Sequence, residues 1–202
     1  TGWSFSNPHS GWLNNNQIWF LSEASGYSHL YVADANTGNK KALTSGNYEV
    51  QNVDLPSGKK FFYIITNEVH PGERQLYRLP VAGGKAERLT TMTGAHEAEI
   101  SPDEKSIAFR YSYSNKPWEL YVMENKPGAK GIQVTNSQSK EFSAYPWRDP
   151  EVVTIKARDN ATIYGRIFKP QNPNGAAVIF VHGAGYLQNA HKWWSSYYRE
   201  YM

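Results

Sequence analysis

A Leu-Tyr pair returns three times in the same setting, and its spacing is the strongest constraint on what this chain can fold into. Leu30-Tyr31 stands in HLYVAD, Leu76-Tyr77 in QLYRLP and Leu120-Tyr121 in ELYVME, at intervals of 46 and 44 residues. A threonine follows each pair, Thr44 in ALTSG, Thr90 in RLTTMTG and Thr135 in QVTNS, at intervals of 46 and 45. An apolar run precedes each pair: IWFLSE from Ile18, FFYIITNE from Phe61 and IAFRYS from Ile107. Just before those runs lie LNNNQ, LPSGKK and SPDEKS, which carry hairpin-turn chemistry at matching places. Each unit therefore holds an apolar strand, a polar turn, a Leu-Tyr strand and a short strand near the threonine, with a further strand leading in. Four strands in a period of about 45 residues is the signature of β-propeller blades. A β-sandwich also has strands every 8–12 residues or so, but it gives no reason for three markers to recur in one phase. Three blades do not close a ring, and each buries its faces only against neighbours, so the expectation is a fragment whose other blades precede Thr1.

The repeat is lost in FSAYPWRDP, residues 142–150, where prolines enter and a domain boundary is expected. Residues 1–148 are assigned to the propeller and 149–202 to the start of a second domain. There VVTIKARDNATIYGRIFKP reads as two alternating strands around a turn in which Asp159-Asn160 tolerates positive φ. QNPNG then leads into Val178, Ile179, Phe180 and Val181, an apolar run that predicts a strand buried on both faces. The run ends in His182-Gly183-Ala184-Gly185-Tyr186. Beyond it, Trp193, Trp194, Tyr197, Tyr198 and Tyr201 have the spacing of an amphipathic helix, better read as core than as a ligand site.

Forty per cent apolar and 14% aromatic residues are enough for a packed core. The net charge of +3 is scattered rather than clustered, which speaks against a nucleic-acid partner. With no cysteine there is neither a disulfide nor a thiolate metal site, and the compartment stays open. No apolar run approaches the roughly 20 residues of a membrane span. His9, His29, His70, His96 and His191 lie on separate elements without metal-ligand spacing, so no metal and no cofactor is expected. Glu97 and Glu99 alternate on one strand face, where a propeller channel or a solvated edge would hold them. Asn160-Ala161-Thr162 fits a glycosylation sequon, a match that chance alone supplies in a chain of this length.

Two serine settings are decoys. Gly2-Trp3-Ser4 opens like a nucleophile elbow but lacks the second glycine of G-x-S-x-G. Ser28 adjoins His29, yet neighbours on a strand point to opposite faces, so a blade turn is the better reading.

A propeller followed by a hairpin and an apolar strand ending in HGAG resembles the prolyl oligopeptidase family of serine peptidases, in its dipeptidyl peptidase IV branch. The resemblance is carried by Thr1-Gly2-Trp3, FLSEASGYSHLYVAD, LTSGNYEV, HPGERQLYRL, TIYGRIFKP and VHGAG, in the family's order and over nearly the whole chain. It implies a mainly β fold, a partial propeller followed by the first strands and helix of an α/β-hydrolase domain. It also implies a hydrolase cutting short peptides, often after proline, through a Ser-Asp-His triad outside this chain. The loop His182, Gly183, Ala184, Gly185 and Tyr186 would then supply part of the oxyanion hole through a main-chain N–H of Gly183 or Ala184. Where the branch places an oxyanion tyrosine this chain has His182, which reads better as scaffold than as base. Tyr186 contributes either a hydroxyl or packing. The branch's substrate-gripping glutamates would precede Thr1. Peptide substrate, the rest of the same polypeptide and a second copy are the implied partners, in a secreted or periplasmic setting. An esterase on the same domain, or a propeller used only for binding, are the competing readings.

Overall fold

The computed structural model describes residues 9–183 and 187–195. Three four-stranded antiparallel sheets follow one another along the chain, each in the simple order of its sequence. The first is β1 (Ser10–Asn14), β2 (Gln17–Ser22), β3 (His29–Asp34) and β4 (Lys40–Ala42). The second is β5 (Val50–Asp54), β6 (Phe61–Thr66), β7 (Gln75–Pro80) and β8 (Glu87–Arg88). The third is β9 (Ala95–Ile100), β10 (Ser106–Tyr113), β11 (Lys116–Glu124) and β12 (Ile132–Gln133). These are three successive blades of a partial β-propeller, in the phase the repeat predicts.

The blades are joined by two apolar seams. Leu13, Trp19, Leu30 and Val32 of the first pack against Val50, Phe62, Ile64 and Leu79 of the second. Tyr63, Ile65, Leu76 and Leu89 of the second pack against Ile107, Phe109 and Met123 of the third. The second blade thus uses one face toward each neighbour, which is why its central strands are buried and apolar on both sides. The turns that feed the apolar strands are tight: Lys59 and Glu104, in matching places of two blades, hold φ of 47° and 56°. The Glu104 carboxylate accepts from Gly58 N at 3.1 Å, tying one turn to the next.

The recurring threonine has a definite task. In each blade its Oγ1 accepts the main-chain N–H of the leucine: Leu30 to Thr44 at 2.9 Å, Leu76 to Thr90 at 2.8 Å and Leu120 to Thr135 at 2.8 Å. The residue before the leucine completes a clasp. His29 Nδ1 lies 3.0 Å from Thr44 Oγ1 and its Nε2 3.0 Å from Gly46 O. Thr90 donates to Gln75 Oε1 at 2.8 Å, and Gln75 Nε2 donates to Met92 O at 2.9 Å. Thr135 donates to the Glu119 carboxylate, which also accepts from Ser137 N at 2.7 Å. Three different side chains therefore satisfy the same loop after the last strand of each blade. Ser28 Oγ donates instead to Val50 O at 3.1 Å, so it does not use His29.

A short helix, α1 (Lys140–Ala144), capped by the Ser139 hydroxyl, leads out of the third blade. The hairpin β13 (Glu151–Lys156) and β14 (Thr162–Ile167) forms where expected, and Asn160 takes the left-handed turn position at φ 66°. Two expectations downstream are corrected. Residues 178–181 form no strand, and Val178 is 98% and Val181 81% exposed. A strand is buried on both faces only when layers pack over both, and among the described residues the β13–β14 sheet has just its two members, with residues 178–181 paired to neither. Residues 191–195 are irregular rather than helical, and Tyr197, Tyr198 and Tyr201 lie outside the described residues.

Candidate functional site

The predicted loop is only partly described. His182 Nδ1 lies 3.2 Å from Gly183 O, a contact within the loop, and the space where a Gly183 side chain would project is open to 4 Å. Ala184, Gly185 and Tyr186 lie outside the described residues. No cluster of metal-ligating side chains occurs among the described residues.

What it does bring together is a wall that the sequence left scattered. The loop His70-Pro-Gly-Glu-Arg74 of the second blade meets residues 190–195 from the far end of the chain. Lys192 N donates to Gly72 O at 2.8 Å, and Lys192 Nζ sits 2.9 Å from Glu73 Oε1. Glu73 is buried and its other oxygen accepts from Gln75 Nε2 at 2.9 Å. Trp193 is sandwiched, with the His191 ring stacked on it at 4.3 Å and the Arg74 guanidinium 4.6 Å from its ring centre. Trp194 N donates to Ser112 Oγ at 2.8 Å, and its ring packs edge-on against Phe142 and Trp147. The hairpin joins through Arg166, which donates to Trp193 O at 3.3 Å, and through Tyr164 packed edge-on against His70. A side chain at Gly72 would strike Ala190 O at 2.5 Å, so the approach depends on glycine.

Burial sets the protonation of this wall. His191 is held down at about 4 by burial, with the nearby Arg166 acting in the same sense. His70 is lowered by burial and by Lys192. His96 is likewise held at about 4 by burial. These rings are therefore neutral near pH 7.

Beside the wall, a cavity of about 540 Å³ opens at the inner edge of the seam between the second and third blades. Arg74, His96, Glu97 and Arg110 line it on one side, and Gln51 and Asn52 on the other. Glu97 bridges Arg74, at 3.8 Å, and Arg110. The sequence assigned Glu97 and Glu99 to a strand face; both line this cavity. It did not single out Arg74, whose signal was only its place in HPGER.

Blade order, seams and clasps define a partial β-propeller, and comparison with known proteins makes the class specific. The family model of the dipeptidyl peptidase IV N-terminal region matches residues 1–118, and the chain belongs to that family. Among solved structures, the crystal structure of Porphyromonas gingivalis dipeptidyl peptidase 4 matches with a TM-score of 0.64 at 24% identity, over 76% of this chain and 22% of that one. At that identity the likeness is one of fold, and this chain spans about a fifth of the relative's length. No helix among the described residues is long and apolar enough to cross a membrane.

Proposed function

We propose that this chain is the propeller wall, residues 1–148, and the opening of the α/β-hydrolase domain, residues 149–202, of a serine peptidase that cuts short peptides of the dipeptidyl or prolyl type. The observation that carries the reading is the family match over residues 1–118, which spans the first two blades and the first two strands of the third. The sequence contains no G-x-S-x-G, so the nucleophile, with its acid and base, is assigned to the same polypeptide outside these residues. The main-chain N–H of Gly183 or Ala184 stabilises the oxyanion once the loop is seated; one such donor is worth about a hundred- to a thousandfold in rate. His182 holds the loop, and Tyr186 borders it. The Lys192–Glu73 and Trp193–Arg74 contacts join the propeller to the segment following that loop, which couples the cavity wall to the chemistry. A secreted or periplasmic setting and pairing with a second copy accompany the reading.

The test compares the parent polypeptide on Xaa-Pro-anilides and on nitrophenyl acetate. Preferential anilide turnover supports the peptidase. Turnover of the ester alone assigns an esterase, and turnover of neither, with the fold intact, leaves a binding module.

A further inference from the structure

The Asn-Gly dipeptide occurs once in this chain, as Asn174-Gly175 in the QNPNG stretch between β14 and residues 178–183. Both residues are exposed and outside any strand or helix. Gly175 takes φ of 83°, with open space where a side chain would project. An asparagine before glycine closes on itself most readily, because no Cβ hinders the approach of the next main-chain nitrogen to the side-chain amide carbon. What the structure adds is the state of the two reacting groups. The electrophile is polarised: Ala176 N donates to Asn174 Oδ1 at 3.0 Å, on the oxygen where negative charge builds as the carbonyl is attacked. The nucleophile is unengaged, since Gly175 N makes no hydrogen bond among the described residues.

Three other asparagines show the contrast. Thr37 N, after Asn36, donates to Asp34 Oδ1 at 2.8 Å. Ser137 N, after Asn136, donates to the Glu119 carboxylate at 2.7 Å. Ala161 N, after Asn160, donates to Asp159 Oδ1 at 3.0 Å. A carboxylate against each of those N–H groups opposes the loss of the proton that would make the nitrogen a nucleophile, and each has a Cβ beside it.

We propose that Asn174 is a self-modifying site, which converts without any enzyme to isoaspartate and aspartate through a succinimide closed by Gly175 N. Gly175 N gives its proton to solvent and bonds to Asn174 Cγ; the Cγ–Nδ2 bond breaks and ammonia leaves. Water then opens the ring. Attack at the former side-chain carbonyl gives aspartate, attack at the main-chain carbonyl gives isoaspartate, and no oxidant or reductant takes part. Either product adds a carboxylate to the linker. Isoaspartate also lengthens the main chain by one carbon between β14 and residues 178–183. This chemistry does not depend on the peptidase reading.

The 202-residue chain is held at pH 8 and 37 °C beside a capped synthetic peptide of residues 169–178, and digests are followed by mass spectrometry. The expected result is the mass gain of amide-to-acid exchange at Asn174, at least as fast as in the peptide and ahead of Asn36, Asn136 and Asn160. The aged chain is also expected to accept methyl groups from an isoaspartate-directed carboxyl methyltransferase, which the fresh chain does not. Gly175→Ala is expected to slow the conversion about tenfold or more by placing a methyl beside the attacking nitrogen. Retention of the amide at Asn174 after the peptide has converted, earlier conversion of Asn36, Asn136 or Asn160, or an unchanged rate in Gly175→Ala overturns the proposal.

Discussion

At the scale of single residues, the clasps make sharp statements about stability. Thr90 is buried, accepts from Leu76 N and donates to Gln75 Oε1, so Thr90→Val keeps the shape and strands two buried groups. Each such group costs about 1–3 kcal/mol, and chemical denaturation is expected to report a loss of roughly 2–4 kcal/mol. A loss below 0.5 kcal/mol or so would show that the clasp is not what holds the loop. Protonation gives a second expectation. His96 and His191 are both held at about 4, below their unfolded value, so the unfolded chain binds more protons and stability rises with pH. On acidification that stability is lost between about pH 6.5 and pH 4, on the order of 3 kcal/mol for each ring. Glu119 acts in a lower window. Burial raises its pKa, but the hydrogen bonds from Thr135 and Ser137 outweigh it and leave the carboxyl below its usual value. Its contribution is present above the unfolded pKa and is lost as pH falls through the folded one. Denaturation midpoints from pH 8 to pH 3 check both, and a flat profile from pH 6.5 to pH 4 would refute the histidine assignment.

At the scale of elements, the contact between the 70–74 loop and residues 190–195 is the one most open to a single change. Gly72→Ala places a methyl against Ala190 O and is expected to release Trp193 from Arg74 while leaving the three blades folded. The tryptophan emission should shift to the red with an unchanged β-sheet circular dichroism spectrum; loss of both signals together would mean that the loop is part of the blade core. The blades themselves were legible in the sequence because Leu30, Leu76 and Leu120 and their threonines recur in one phase. The third member of each clasp was not, since His29, Gln75 and Glu119 share a role without sharing chemistry. Nor was Lys192–Glu73, whose partners are far apart in sequence and meet only through the fold. Residues 178–181 show the opposite failure: an apolar run reports what a strand would bury, while burial itself depends on neighbours supplied from elsewhere.

At the scale of the whole molecule, the candidate site divides into what these residues carry and what they do not. The blades, with their recurring leucines and threonines, were the part written in a local period, whereas the polar cavity at Arg74 and His96 was not. The proposed chemistry was read in the sequence only at His182 to Tyr186, because a triad of the proposed kind assembles from positions that no local pattern joins. The most direct test of the account is covalent labelling with a fluorophosphonate, which reports an activated serine independently of substrate. The account predicts that the 202-residue chain stays unlabelled, and that a longer polypeptide containing it is labelled on a serine outside these residues. Stoichiometric labelling of the 202-residue chain that survives Ser4→Ala would contradict it.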